Sequence, residues 1–315
     1  SAYRNPLTRA NKVPYPENYS YQAEYKGENI LRDLESILMK LRPTRVFVSH
    51  PADTNVDHRA LYVFLRVALL NLEGKIPPPL VYPYLIHFGR WPYPFHYHPE
   101  LTLSPPKKLA ESEIAWENYN LSGFQEDKKL AAIKCYQSQK VDRGYWLASF
   151  IKKNEIFGDY PIINLAKKPL TEKEVSIGDL GEGDFSPEEL AEKSKISSFS
   201  FQQNDQKLLL TVKFNKVLEK EIGFSLHIFG YNQQSPFSQM PKISLRLVPL
   251  ERTILRNGLS VLPGKNVSVK KNGKEVSFEF PIELLRNPDY ILLALESYLG
   301  EIPVDLTAWR IIKIK

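Results

Sequence analysis

Residues 47–62, "VFVSHPADTNVDHRAL", decide the fold class because they place a strand, a polar loop and a helix in direct succession. The run "TRVFVSH" predicts a short strand, and "RALYVFLRVALLNL" has apolar residues at helical spacing. The loop between them carries His50, Asp53, Asp57 and His58. Because open α/β sheets bind ligands in the loops that follow their strands, this stretch is also the first candidate for a functional site.

The sequence on both sides continues the alternation of helices and strands. Apolar residues recur at helical spacing in "GENILRDLESILMKLRP", residues 27–43, and "LVYPYLIHF", residues 80–88, is a second short strand. Residues 124–157 also have helical spacing and are predicted to be a helix over this layer, with Cys135 as a buried thiol. The pattern predicts an α/β domain over residues 1–160, with a parallel sheet between flanking helices.

The character of the chain changes after about residue 160. The glycine-rich and acidic run "SIGDLGEGDFSPEELAEKS" predicts a linker or long loop over residues 161–195. Residues 196–315 consist of short runs with two-residue alternation, separated by turn signals such as "KNGKE". That spacing predicts a β-sandwich as a second, C-terminal domain.

The composition narrows the class of protein. Apolar residues make up 43% of the 315 residues and charged residues 25%, which is typical of globular domains, and no apolar run is long enough to span a bilayer. The net charge is +6, but lysines and arginines are interspersed with 36 acids, which argues against a nucleic-acid partner. The single Cys135 excludes an internal disulfide without deciding the compartment. Localisation and any membrane anchor stay open.

The polar loop has a structural and a functional interpretation. Asp53, Thr54 and Asn55 are residue types that cap helices, so one of them could simply begin the helix that carries His58. Imidazoles and carboxylates that converge on one point are also the ligands of hydrolytic zinc sites. His87 ends the second predicted strand and should reach the same edge of the sheet as His58. The residues alone leave both interpretations open.

The order of several segments resembles the LmbE-like, PIG-L-type N-acetylglucosaminyl deacetylases. The stretch "ENILRDLESILMKLRPTRVFVSHPADTNVDHRALYVFL" looks like the second signature of that family, in which a helix and a strand precede an Asp-His pair. The similarity extends through "YRNPLT", "YLIHFGRWPYP", "KLAAIKCYQSQ" and "FIKKNEIFG", over about residues 3–158. The resemblance implies a Rossmann-like, zinc-dependent amide hydrolase acting on an N-acylated amino sugar such as an N-acetylglucosamine conjugate.

The resemblance also implies roles for residues of the loop. His58 falls on the last metal ligand of the family, and Asp57 on the carboxylate that supports this ligand. Asn55 stands where the family often has a histidine that stabilises the oxyanion. An amide can donate a hydrogen bond to an oxyanion as well, so Asn55 is kept as a catalytic candidate.

Further candidates follow the second strand. The resemblance makes His87 a contact for the substrate or its oxyanion, against the alternative of a structural histidine at the end of a strand. Arg90 and Trp91 stand in a loop suited to flank a sugar, although a Trp-Pro pair also suits packing within the loop. These residues are the candidates for binding the substrate.

One part of the family pattern is absent from this sequence. The family has an early "HPDD(E)" motif, and the nearest match, "HPAD" at residues 50–53, lies inside the second signature and has Ala52 at the place of the general base. We therefore expect His50 and Asp53 to lie outside the metal site and the missing half to be present as another chain, such as an N-terminal portion after proteolysis. The chain alone is then expected to bind zinc weakly and to be inactive, because one imidazole cannot replace three ligands.

The C-terminal region supports a rival function. "VSFEFPIELL" and "VDLTAWRIIKIK" are similar to CBM9-like carbohydrate-binding folds, in which Trp309 would be a stacking platform if it were exposed. The alternative is therefore a non-catalytic carbohydrate-binding or scaffold protein, in which the β-sandwich recognises the ligand.

Overall fold

The computed structural model describes residues 2–137, 146–165, 170–172, 195–204, 206–219, 221–247, 253–258, 260–262, 267–300 and 302–314. It is a mixed structure of helices and several sheets, and it is rich in sheet. The helices are α1 (Gly27–Leu41), α2 (Val56–Asn71), α3 (Lys107–Ala110) and α4 (Gly123–Cys135). No helix in this part of the chain is both long and apolar enough to cross a membrane.

Two parallel strands form the sheet that carries the polar loop. β1 (Arg45–Ser49) pairs in parallel with β2 (Leu80–Tyr84), so that Ser49 lies opposite Tyr84 and both strands end at one edge. The predicted order of helix, strand, helix and strand is confirmed by α1, β1, α2 and β2. No third strand pairs with this sheet in the described residues.

The helix predicted for residues 124–157 is wrong in the described residues after Cys135, and its residues 138–145 lie outside the described part of the chain. α4 begins with a capping box between Ser122 and Gln125 and ends at Cys135, and a short 3-10 helix covers Trp146–Phe150. β4 (Asn154–Asp159) then pairs antiparallel with β3 (Ala115–Asn120). The burial of β4 alternates residue by residue, which is the period of a strand. Cys135 is exposed, and not buried as predicted, because α4 buries none of its residues.

The predicted linker, residues 161–195, lies mostly outside the described residues. The two described pieces within it, β5 (Ile163–Asn164) and β6 (Leu170–Glu172), are strands that join the C-terminal sheets. The strands that follow them are β7 (Ile196–Asn204), β8 (Lys207–Phe214), β9 (Ile222–Tyr231), β10 (Lys242–Leu247), β11 (Thr253–Asn257), β12 (Ser260–Leu262), β13 (Ser268–Asn272), β14 (Glu275–Pro281), β15 (Tyr290–Leu299), β16 (Ile302–Leu306) and β17 (Arg310–Lys313).

These strands form two sheets that share a core. As far as the chain is described, one sheet has the order β12-β11-β10-β9-β15-β17-β5, with β16 beside β15, and the other has the order β13-β14-β8-β7-β6. Alternate side chains of both sheets are buried in a single cluster, which includes Phe199, Phe224, Phe278 and Leu293. The short runs predicted as strands after residue 195 are strands in the structure.

The opposite face of the larger sheet packs against α1 and α2. Leu31 of α1 and Leu65 of α2 belong to the same buried cluster as Phe229, Leu292 and Ile311 of the sheet. Residues of the first and last thirds of the chain therefore belong to one buried cluster.

Truncating Leu292 is expected to weaken both parts of the chain together. The side chain is fully buried between the larger sheet and the helices, so Leu292→Ala should lower the free energy of unfolding by about 2–5 kcal/mol. Urea unfolding followed by circular dichroism should show one transition that shifts as a whole. Val217→Ala, at a side chain that is 61% exposed, is the control and should change little. Two separate transitions, of which only one moves, would contradict the shared core.

Candidate metal site

The loop between β1 and α2 is held in place by the cap of the helix. Asn55 is the N-cap residue, and its Oδ1 accepts hydrogen bonds from the backbone N–H groups of Asp57 at 2.9 Å and His58 at 3.3 Å. Asparagine satisfies these N–H groups because its side chain is short and carries an acceptor. The cap fixes His58 in the first turn of α2, with its ring at the edge where β1 ends.

Asp53 joins this loop to the end of β2. Its carboxylate is fully buried; Oδ1 accepts a hydrogen bond from the N–H of Asn55 at 2.9 Å, and Oδ2 accepts from the N–H groups of Ile86 at 3.1 Å and His87 at 3.0 Å. The N–H of Thr54 adds a hydrogen bond to the carbonyl of His87 at 2.9 Å. Two segments that are distant in sequence are thereby fixed side by side.

Two imidazoles meet at this carboxylate. His58 Nδ1 lies 3.1 Å from Asp53 Oδ2, but the ring is not oriented for a hydrogen bond, and this buried nitrogen has no hydrogen-bond partner among the described residues. The rings of His58 and His87 are 5.1 Å apart, and His87 stacks on Trp146 at 5.2 Å. One ligand atom from each of Asp53, His58 and His87 lies within 4.8 Å of the others.

This group of side chains could hold a metal ion. One carboxylate and two imidazoles are the donor set of many catalytic zinc sites, and also of non-haem iron sites. The unpaired Nδ1 of His58 fits a ligand role because a buried polar atom is stabilised only when it has a partner. The side chain of His58 is 30% exposed, so the group lies beside solvent. The donors suit a divalent transition metal and do not decide which one.

The structure brings together only some of the predicted site residues. His58 and His87 lie in the group, whereas the side chain of Asp57 is exposed and only its backbone N–H is bound by Asn55. Asn55 is exposed, and its side-chain oxygen caps the helix. The helix-cap and metal interpretations of the loop are therefore compatible, because different residues carry them.

The loop after β2 departs from its predicted role in binding a sugar. Arg90 is exposed, but Trp91 is buried, with only 9% of its surface exposed. The ring of Trp91 packs edge-on against Phe150, and its Nε1 donates to the carbonyl of Ser104 at 2.8 Å. A ring that is enclosed in this way offers no face to a sugar. Trp91 therefore fits the alternative interpretation, in which the Trp-Pro pair packs within the protein.

The two polar residues of the "HPAD" segment lie in different places, Asp53 in the candidate metal site and His50 in the buried interior. Asp53 belongs to the metal group, which corrects the expectation that it lies outside. His50 does not belong to it; its ring is fully buried and stacks on Trp116 at 5.5 Å, and its Nδ1 accepts from the N–H of Ala52 at 3.0 Å. The spacing of "HPAD" was the signal for Asp53, whereas nothing in the sequence indicated Trp146 beside His87.

His50 is expected to make stability depend on pH. Burial, with a smaller contribution from the charge of Arg310, lowers the pKa of His50 from 6.5 to about 3. The unfolded chain therefore takes up this proton at higher pH than the folded chain. The contribution of His50 to stability is complete above about pH 6.5 and is lost as the pH falls towards 3, by about 1.4 kcal/mol per pH unit.

The variant His50→Asn isolates this effect. Asparagine keeps an acceptor near the N–H of Ala52 but does not titrate, so the free energy of unfolding should depend less steeply on pH between 6 and 4 than in the parent chain. Urea unfolding at several pH values measures the slope. His98→Asn, at a half-exposed histidine beside Glu100, is the matched control. Equal slopes for His50→Asn and the parent would show that His50 does not cause the dependence.

Comparisons with known proteins add little to this description. No family model matches the chain, and no curated protein matches it. Among solved structures, the N-terminal domain of the adhesin Sgo0707 from Streptococcus gordonii aligns with 12% identity and a TM-score of 0.15, over 51% of this chain and 35% of that one. The alignment thus spans about a third of that structure, and a similarity this low supports no statement about fold or function.

Proposed function

We propose that this chain carries the zinc site of an N-deacetylase of the LmbE-like, PIG-L type, which hydrolyses the amide of an N-acetylglucosamine-like or other N-acylated amino sugar. The observation that supports it is the convergence of Asp53, His58 and His87 at the shared edge of β1 and β2. A catalytic zinc site needs about three protein ligands and an open position. The partly exposed ring of His58 lies at the open side.

The chain's own residues hold the metal ligands in position and donate a hydrogen bond to the reacting group. When bound, zinc supplies Lewis-acid polarisation of the acyl carbonyl and lowers the pKa of a water molecule. Three backbone N–H groups hold the carboxylate of Asp53 in place, so this metal ligand does not move during the reaction. His87 is restrained by stacking on Trp146. Asn55 caps α2 through its oxygen and keeps its amide nitrogen as the donor to a developing oxyanion.

Other roles in this proposal fall on the exposed side of the loop. Asp57 and Arg90 are exposed and follow closely in sequence on Asp53 and His87, so they are the groups assigned to the polar parts of an amino sugar. Ala52 stands where the resemblance places the general base, and it has no group that moves a proton. The proposal therefore assigns the base to another chain.

A further chain would also cover the open side of the α/β layer. Ile30, Ile37 and Leu41 lie along one side of α1 with exposures of 43%, 37% and 67%, and Phe47 of β1 is 56% exposed. β1 pairs on one edge only in the described residues. An unpaired strand edge beside apolar helix residues favours an incomplete, Rossmann-like sheet that another segment completes.

The alternative function rests on the C-terminal sheets. Their common core supports a β-sandwich of the carbohydrate-binding kind. Trp309, however, is half-buried against the cluster that contains α1 and α2, so its ring is not a free platform for a sugar. This placement favours the metal-dependent enzyme over the binding protein.

The test measures metal and hydrolysis separately. Zinc content is determined for this chain and for the full-length gene product, and acetate release from an N-acetylglucosamine conjugate is followed before and after treatment with a chelator. Zinc-dependent release by the full-length protein supports the proposal. A full-length protein that is saturated with zinc and releases no acetate would contradict deacetylation, and binding of the glycan without metal would favour the alternative.

A further inference from the structure

The residue that follows His58 links the metal loop to the C-terminal sheet. Arg59 lies in the first turn of α2, and its Nη2 donates a hydrogen bond of 2.7 Å to the carbonyl of Thr307, 248 residues later. The hydrogen bond from His227 is the main cause that lowers the pKa of Glu296, and the nearby charge of Arg59 adds to it. The guanidinium thus binds the carbonyl of Thr307, and its charge acts on the carboxylate of Glu296 in the larger sheet.

The segment that accepts this hydrogen bond is itself rigid. Thr307 is buried; its N–H donates to the carbonyl of Leu295 and its Oγ1 accepts from the N–H of Leu295, both at 2.9 Å. Thr307 is therefore fixed to β15 by two hydrogen bonds with Leu295. Arg59 is attached to a part of the sheet that does not move freely.

The same segment closes over the loop that carries Asp53. Ala308 and Ala52 are both fully buried and belong to one cluster, and the N–H of Trp309 donates to the carbonyl of Pro51 at 3.4 Å. The loop is thus held by β2 on one side, through Asp53, and by residues 307–309 on the other.

We infer that Arg59 is a positioning residue for the metal site, through which the C-terminal sheet keeps His58 in register with Asp53 and His87. The inference rests on the proposed metal site. Because Arg59 and His58 are consecutive in the first helical turn, a fixed guanidinium limits how far this turn can move from the carboxylate of Asp53. Groups that orient metal ligands without touching the metal typically change metal affinity by about 10- to 100-fold.

The test compares two arginines of the same helix in the full chain. Arg59→Met should weaken zinc binding by about 10- to 100-fold, as measured by competition with a chromogenic chelator, and Arg59→Lys should recover most of that loss. Arg66→Met is the control, since Arg66 is also largely buried on α2 and pairs with Asp159. It should lower the melting temperature of the metal-free chain but leave the zinc affinity within a few-fold of the parent.

Each outcome decides the inference. Weakened binding in Arg59→Met alone, with rescue by lysine, supports it. Unchanged affinity in Arg59→Met, or an equal loss in both methionine variants, overturns it, because the effect would then be absent or would reflect general destabilisation. If Arg59→Met does not fold, Arg59→Gln, which keeps an N–H donor without the charge, is judged by the same criteria. A parent chain that binds no zinc refutes the inference together with the metal site, whereas a zinc-loaded full-length protein that releases no acetate contradicts only the deacetylase function.

Discussion

Asp53→Asn is expected to abolish zinc binding by this chain and to lower the free energy of unfolding by about 2–4 kcal/mol. The carboxylate is fully buried and accepts hydrogen bonds from three backbone N–H groups. An amide of the same shape has one oxygen, so its NH₂ group would face at least one N–H donor. The substitution therefore removes a proposed metal ligand and also loosens the contact between the loop and β2.

The measurements are zinc affinity and urea unfolding, compared with Asp57→Asn. Asp57 lies four residues away with an exposed side chain, so the same chemical change there should affect neither stability nor affinity by a comparable amount. The resemblance assigns Asp57 the supporting role, for which a loss of roughly 10- to 100-fold in affinity is typical. If Asp57→Asn weakened zinc binding more than Asp53→Asn did, the family assignment would describe the site better than the geometry does.

His58→Ala is expected to lower metal content and turnover together while leaving the fold intact. The imidazole is 30% exposed and its Nδ1 lies 3.1 Å from Asp53, so alanine removes a proposed metal ligand but creates no large buried cavity. Asn55 still caps α2, because it binds backbone N–H groups that alanine retains at position 58. The melting temperature of the metal-free chain should therefore stay close to that of the parent.

Metal content and acetate release from an N-acetylglucosamine conjugate measure this result in the full-length protein. His98→Ala, at a histidine of similar exposure that contacts Glu100 in a loop, is the control and should keep both properties. If His58→Ala kept full zinc content and the turnover of the parent, His58 would not be a metal ligand, and the loop would serve only to cap α2. The scaffold or carbohydrate-binding function would then be the better description.

Local patterns predicted the parts of the site that lie on regular elements. The spacing of apolar residues gave α1 and α2, and the rule that parallel strands end at one edge placed His87 near His58. Asp53 was misjudged because its role depends on backbone N–H groups more than 30 residues away, at Ile86 and His87. A sequence pattern describes side chains that are neighbours along the chain, and it does not report which backbone groups a carboxylate will meet.

The errors in the fold have a similar origin. Residues 124–157 have apolar side chains at intervals that fit a helix, but β3 offers an edge to residues 154–159, and pairing with it overrides the local preference. The packing of Trp91 against Phe150 likewise joins the loop after β2 to the 3-10 helix Trp146–Phe150. The sheet order and the packing of α1 and α2 against the larger sheet arise from contacts between the two ends of the chain.

The contact between Arg59 and Thr307 has a consequence for biosynthesis. Thr307 is translated 248 residues after Arg59, which at about 5–20 residues per second is an interval of roughly 12–50 s. During that interval the nascent loop has no contact with residues 307–309. A ribosome that pauses late in this message would therefore delay maturation of the proposed metal site, which would be complete only when the last strands have formed.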